Sequence, residues 1–210
     1  MPYLHDLLLF LPAVLAISLI PGPALLYVAA RTLAAGRGEG LASTLGLALG
    51  GQVHVLGGAL GVSALLLASA EVFTVFKLLG AAYLLWLGWR TWRAARDVQP
   101  LAAPSAVGRR RAFRDGVVVE ALNPKTAAFF LAFIPQFVDP AAGPVFWQFL
   151  LLGTITVLAN GLADLAMILL AERVGRTVRR RPRVLVRIRQ GSAALFAGMG
   201  VTLAFARRQG

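Results

Sequence analysis

Three charged side chains lie inside long apolar stretches of this sequence. Glu120 and Lys125 share one stretch, and Asp164 lies in the next, one helical turn after Asn160. A charge in the middle of a membrane costs on the order of 3 kcal/mol, so it is normally paired or functional. We predict that Lys125 binds an anion or holds an ion pair and that Asn160 helps to bind the substrate. Asp164 or Glu120 would take up and release a proton, because burial disfavours a charged carboxylate.

Each of these interpretations has a structural alternative. Glu120 and Lys125 are five residues apart, about 140° around a helix axis, so they need not face each other. Lys125 could pair with Asp164 across two helices, and Glu120 could be an interfacial carboxylate near Arg114. His54 is a third candidate for proton coupling, since histidine titrates near neutral pH, or else a hydrogen-bonded packing residue.

Two proline motifs interrupt the apolar stretches. They are Pro21-Gly22-Pro23 in the first stretch and Asn123-Pro124-Lys125 in the fourth. Proline removes a backbone donor and so frees backbone groups inside a membrane. A half-helix that starts after such a break points its amides at a cavity, where a carboxylate is stabilised, and the opposed carbonyls suit an ammonium. The motifs therefore predict a binding site for a zwitterion such as an amino acid; simple helix kinks are the alternative.

The elements that must position these residues are membrane helices. Of the 210 residues, 58% are hydrophobic and 14% are charged, which leaves too little polar surface for a water-soluble domain of this length. A span needs about 20 helical residues, and lipid forbids unpaired backbone. We predict an all-α membrane protein with six transmembrane helices, the first and fourth of them broken. The predicted spans are Leu7–Ala30, Leu41–Ala70, Val72–Trp89, Gly116–Val138, Val145–Ala171 and Ile188–Ala206.

The two breaks divide the chain into matching halves. Pro124 follows Pro21 by 103 residues, close to half of the length. Three spans per half is an odd number, so the second half inserts upside down relative to the first. Inverted repeats with matched breaks are typical of transporters that bind their cargo between the repeats. The predicted organisation is a three-helix repeat in residues 1–92, a basic loop in residues 93–114 and a second repeat in residues 115–210.

The basic residues are distributed unevenly between the predicted loops. The chain has 21 Lys+Arg against 9 Asp+Glu, and most arginines fall in the loops after spans one, three and five, which share one side. Such loops face the cytoplasm, which places both termini outside; Arg207 and Arg208 in the tail argue weakly for the reverse. Because the basic residues flank apolar spans, they indicate orientation in a lipid bilayer and not nucleic-acid binding.

Span two carries a stripe of glycines, and the rest of the composition excludes several functions. Gly46, Gly50, Gly57 and Gly61 repeat at four- and seven-residue steps, a pattern that predicts a close helix contact. The chain has no cysteine, two histidines and no HExxH motif, so we predict no enzyme activity, no cofactor and no bound metal.

Two other functions are compatible with a membrane protein of this composition. An exporter of divalent metal or another cation is the alternative, but hard cations need several carboxylates or carbonyls. Only two acidic residues, Glu120 and Asp164, lie within the spans. A non-catalytic scaffold would need neither matched breaks nor the buried Asp164.

Several ordered motifs resemble those of the LysE/RhtB family of amino-acid exporters, over about residues 7 to 205. In the first half they are Ile20-Pro21-Gly22-Pro23, Gly36-Arg37-Gly38-Glu39-Gly40 with Leu45-Gly46, and Lys77-Leu78-Leu79-Gly80-Ala81-Ala82-Tyr83-Leu84 with Leu87-Gly88-Trp89. In the second half they are Asn123-Pro124-Lys125-Thr126 and Pro135-Gln136-Phe137.

The resemblance implies a protein of the bacterial inner membrane that exports amino acids such as threonine, homoserine, leucine or lysine. It implies export driven by the proton motive force and, often, a homodimer. The family's lysine-exporting branch often has an acidic residue near the position of Gly50. This chain has Gly51-Gln52 there, which favours a neutral substrate.

Overall fold

The computed structural model describes residues 4–67, 70–94, 105–180 and 182–205, and within these ranges the regular structure is helical, without a β-strand. Two short 3-10 turns, Ile134–Phe137 and Pro140–Ala142, connect α6 to α7. The α-helices are α1 Leu4–Ser18, α2 Pro23–Ala35, α3 Arg37–Leu67, α4 Ala70–Ala94, α5 Arg109–Ala121, α6 Pro124–Ala132, α7 Val145–Arg180 and α8 Pro182–Phe205.

Two pairs of consecutive helices bend where the sequence predicts breaks. The bend is 51° between α1 and α2, and 44° between α5 and the segment Pro124–Phe137. Both α2 and α6 begin with a proline, whose missing N–H costs no helical hydrogen bond at that position. The residue before a proline is also kept out of the helical conformation. The predicted interruptions near Pro21 and Pro124 are therefore confirmed.

One described helix is long and apolar enough to cross a membrane by itself. It is α7, over Val145–Ala171, the bounds predicted for the fifth span. Each bent pair also qualifies when its two helices are counted as a single span, which gives up to three spans in the described ranges. The arrangement of six spans as two inverted repeats stays a prediction.

Some helices extend beyond the predicted spans into the Arg-rich segments. α5 begins at Arg109, so the last part of the predicted loop is helical, and α7 continues past Ala171 to Arg180. Arginine is a good helix former, and a run of arginines prolongs a helix until proline or glycine ends it. Residues 95–104 of the predicted loop, the last residue of the sixth span and the tail arginines lie outside the described residues.

The glycine stripe of α3 forms a close contact with α5. A Cβ atom on Gly46 would clash with the main-chain oxygen of Phe113, and one on Gly50 would clash with that of Val117. The predicted close approach is thus confirmed for these two glycines. A Cβ atom on Gly57 or Gly61 would have no described atom within 4 Å, so these two glycines do not contribute to the close contact. On another side α3 packs along α7, while α4 packs along α8.

An aromatic cluster joins the two broken helices. Phe10 of α1 is fully buried and stacks on Phe133, with ring centroids 6.0 Å apart. Phe129 of α6 stacks on the same ring at 4.8 Å, and Phe137 meets Phe10 edge-on at 5.2 Å. These contacts fix α1 against α6, so both breaks border the same space.

Candidate functional site

A lysine from the second break binds the carbonyls exposed at the first. The helical partner of the Ile17 carbonyl would be the N–H of residue 21, and Pro21 has none. Lys125 Nζ donates instead, at 2.8 Å to Ile17 O and at 2.7 Å to Ile20 O. The carbonyls predicted to suit an ammonium therefore hold an ammonium of the chain itself.

A histidine supports the second break in the same way. Pro124 cannot supply the N–H that the Glu120 carbonyl would accept one turn later, and His54 Nε2 lies 2.8 Å from that oxygen. Because a carbonyl only accepts, Nε2 carries the hydrogen. In this structure His54 is thus a hydrogen-bonded residue behind the break, the alternative that the sequence left open.

The two breaks share this chemistry at one sequence offset. Ile17 and Glu120 are 103 residues apart, as are Pro21 and Pro124. At each break, a side chain from a different helix supplies the donor that the proline removes. Each carbonyl also accepts from the N–H three residues on, Ile17 O at 3.1 Å and Glu120 O at 2.9 Å, so the side chain adds a second hydrogen bond. Both donors therefore stabilise an interruption that lipid would otherwise disfavour.

The Glu120 carboxylate is buried and accepts hydrogen bonds from residues at the second break. Its Oε2 accepts from Asn123 Nδ2 at 2.8 Å, and its Oε1 accepts from Thr126 Oγ1 at 2.7 Å. Asn123 also caps α6, because its Oδ1 accepts from the Lys125 amide at 3.1 Å. Both carboxylate oxygens are thus engaged within the turn between α5 and α6.

One cavity lies between the two breaks. The space open to the centre of a water molecule is about 30 Å³, enough for very few waters. α2, α3 and α7 complete its walls. The polar side chains that line it are Ser18, Thr44, Glu120, Asn123, Lys125, Thr126, Asn160 and Asp164.

Most of the predicted site residues meet at this cavity. The lining includes Gly22, Asn123, Lys125, Asn160, Glu120 and Asp164. Pro21, Pro23 and Pro124 shape the breaks beside it, and His54 lies behind Glu120. Their roles in binding and coupling stay predictions.

The wall formed by α7 presents the one lining carboxylate that is not engaged. Asp164 is 5% exposed and has no hydrogen bond or ion pair to any residue that the structure describes. The ion pair with Lys125 that the sequence left open is not formed, since the lysine is held by the carbonyls of α1. Asn160 lies one helical turn away on the same face of α7.

Sequence reasoning missed two threonines of the cavity. Thr126 follows the Asn123-Pro124-Lys125 motif directly and binds Glu120. Thr44 precedes the glycine stripe, and its buried hydroxyl has no hydrogen-bond partner. The sequence offered one signal for Thr44: it lies beside the glycine stripe, where α3 comes close to its neighbouring helices.

A second buried polar cluster ties the Arg-rich ends of the helices together. Arg31 Nη1 of α2 lies 3.7 Å from Glu39 Oε2 of α3 and donates to Ser105 O at 3.1 Å. Glu39 Oε1 accepts from the amides of Val107 and Gly108, at 2.9 and 2.6 Å. The cluster therefore fastens α2 and α3 to the segment that leads into α5.

The described ranges hold no group of three His, Cys, Asp or Glu side chains that could bind a metal ion. Both carboxylate oxygens of Glu120 are already engaged by neutral donors. No observation here favours export of a metal cation.

The LysE type translocator family model matches residues 15–207. An uncharacterised membrane protein of Pseudomonas aeruginosa is 36% identical over 206 residues, 96% of this chain and 95% of that protein. A homoserine/homoserine lactone efflux protein of Salmonella typhimurium is 30% identical over 191 residues, 91% of this chain and 92% of that protein. A leucine efflux protein of an Enterobacter species is 31% identical over 139 residues, 66% of each chain.

No solved structure matches the chain. The family match covers both helix breaks and every side chain that lines the cavity. This chain therefore belongs to the LysE type translocator family.

Proposed function

We propose that this protein exports small neutral amino acids from the cytoplasm, driven by the proton motive force. The observation that carries the proposal is the cavity between two interrupted helices, lined by three ionisable side chains. Relatives named for efflux of homoserine and of leucine support a neutral amino acid. The relative in Pseudomonas aeruginosa is named as a membrane protein, which supports a membrane location, and we propose the inner membrane.

The proposed topology is six spans in two inverted repeats, with the Arg-rich segments in the cytoplasm and both termini outside. The matched offset of the two breaks, and of the carbonyls that bind a side-chain donor at each, supports the repeat. Tryptophans beside arginines support an interface at the end of α4: Arg90 lies over Trp86 at 5.3 Å and Arg93 over Trp89 at 4.4 Å. Tryptophan is enriched where a membrane meets water.

The proposed transport cycle moves one repeat against the other around the cavity. A space of about 30 Å³ admits water but not an amino acid, so cargo binding requires the walls to separate. In this cycle the Arg31–Glu39 cluster, which joins α2 and α3 to the segment before α5, would open for cargo to enter from the cytoplasm. In the open cavity, the first turn of α2 and the lysine charge would bind the carboxylate of the cargo.

We place proton coupling at Asp164. Glu120 is bound by two neutral donors and supports the second break, and His54 donates to a backbone carbonyl. Asp164 faces the cavity without a partner among the described residues. A carboxylate in that position can exchange a proton without dismantling a helix break.

The proposal is tested by uptake into inverted inner-membrane vesicles, because export from a cell becomes uptake in that geometry. Vesicles containing the protein, energised by respiration, should accumulate one or more labelled neutral amino acids. Vesicles without the protein, and vesicles whose proton gradient has been collapsed, should not. Absence of uptake for all standard amino acids and L-homoserine, with the protein present in the membrane, would contradict the proposal.

A further inference from the structure

We infer that Thr44 and Asp164 together form the subsite that binds the ammonium group of the cargo. The inference deepens the proposed function and rests on it, because it requires the cavity to hold an amino acid. Thr44 lies on α3 and Asp164 on α7, on two walls of the same cavity.

The hydroxyl of Thr44 behaves unlike the other buried hydroxyls. Those on membrane helices normally donate to the carbonyl one turn earlier, and Ser18, Thr32, Ser43 and Thr156 all do so. Thr44 is 8% exposed, lines the cavity and has no hydrogen-bond partner. A buried hydroxyl without a partner costs about 1–3 kcal/mol, so Thr44 favours a bound group that supplies one.

Asp164 also lacks a partner among the described residues, as does the Asn160 amide one helical turn away. Asp164 is 5% exposed, and no described residue donates a hydrogen bond to it. An uncompensated carboxylate is costly in an apolar setting. A cationic donor would relieve that cost and would satisfy the hydroxyl at the same time, provided that both groups lie at the same depth.

The register of α3 against α7 places them at the same depth. Gly40 faces Ile168, because a Cβ atom on this glycine would lie 3.0 Å from the isoleucine Cγ1 atom. Gly51 faces Val157 in the same way, with 3.0 Å to the valine Cγ2 atom. The two residue numbers add to 208 in each pair, as expected for antiparallel helices in register. The numbers of Thr44 and Asp164 have the same total, so these two residues lie at the same depth on the facing helices.

An ammonium fits between these two groups better than a carboxylate does. Asp164 repels an anion, whereas an ammonium can donate to its carboxylate and to the oxygen of Thr44. The other two ionisable side chains of the cavity are committed: Glu120 to Asn123 and Thr126, and Lys125 to the carbonyls of α1. The cargo thus lies with its ammonium between α3 and α7 and its carboxylate towards α2.

This placement has a consequence for coupling. If the ammonium group of the cargo and a proton both bind the Asp164 carboxylate, their binding is mutually exclusive. Arriving protons then release the cargo, which is the exchange that a proton-driven exporter needs.

The test uses the full chain in inverted vesicles and each labelled amino acid that the wild type carries. Unlabelled amino acid is compared, as a competitor, with the matching α-hydroxy acid, in which a hydroxyl replaces the ammonium. Thr44→Val removes the hydroxyl at nearly constant volume, and Thr44→Ser restores it. Thr156→Val is the matched control, a buried threonine whose hydroxyl is already bonded to Leu152 O at 2.9 Å.

We expect the α-hydroxy acid to compete at least about a hundredfold more weakly than the amino acid. Thr44→Val should raise KM about ten- to a hundredfold, as for a lost hydrogen bond to a charged group, with Thr44→Ser and Thr156→Val close to wild type. Equal competition by the α-hydroxy acid, or an unchanged KM in Thr44→Val, would overturn the inference and leave the proposed function standing. If the wild type carries no amino acid, both fail together.

Discussion

Replacing Lys125 by methionine removes the link between the two helix breaks. Lys125 Nζ makes two hydrogen bonds, at 2.8 and 2.7 Å, to carbonyls of α1. Hydrogen bonds to a charged group contribute about 1.5–3 kcal/mol each, so the link is worth about 3–6 kcal/mol. That range corresponds to a factor of about 10² to 10⁴ in the equilibrium between linked and separated breaks.

The stability of the folded chain should change much less than the link does. Burying an ammonium costs several kcal/mol, and an apolar side chain of similar length does not incur that cost. We therefore expect Lys125→Met to reach the membrane in amounts within about twofold of wild type. Export should fall at least about a hundredfold, because the first break loses its donor and the cavity loses its cation.

The assay is uptake of labelled amino acid into inverted vesicles, normalised to the amount of protein in the membrane. Arg111→Met is the control, since it removes a cation whose side chain is 73% exposed and whose contact with Asp115 is a surface pair. Export by Lys125→Met at the wild-type rate would refute the role of this lysine in joining the breaks.

Three further changes test neighbouring parts of the account. Gly22→Ala places a Cβ 2.9 Å from the lysine Cδ atom and should lower export severalfold, whereas Gly57→Ala, which meets no described atom within 4 Å, should not; equal activities would contradict the close contact. Asp164→Asn should lose accumulation against a gradient but retain exchange of labelled for unlabelled cargo; intact proton-driven accumulation would move the coupling site elsewhere. Gly88→Leu should lower both the amount of folded protein and export, because even a Cβ atom at this position lies 2.9 Å from the main-chain oxygen of Ala193; wild-type levels of both would contradict the packing of α4 on α8.

The helix breaks could be predicted from the sequence because proline acts locally. Pro21 and Pro124 each remove one main-chain donor whatever the tertiary contacts are, so both helices end where the sequence indicates. The bounds Val145–Ala171 were also predictable, since hydropathy alone sets the length of a span. The glycine stripe predicted a close contact, although only Gly46 and Gly50 form it with α5.

The partners of the buried polar groups could not be predicted, because they come from other helices. The spacing of residues along a helix predicts which face Lys125 lies on. It does not predict that the lysine binds two carbonyls of α1. His54 offered two roles, and only the position of α3 beside the second break puts it against Glu120 O. Thr44 carries no motif; its importance follows from a missing hydrogen bond, which only a three-dimensional arrangement reveals.

The central claim is that two interrupted helices enclose the binding site for the exported amino acid. An experimental structure of the full chain in lipid, with an amino acid that it carries at saturating concentration, tests this claim most directly. We predict that both helices remain interrupted near Pro21 and Pro124 and that the amino acid lies between them, in contact with α7. Two helices that run straight through, or an amino acid bound away from the breaks, would contradict it.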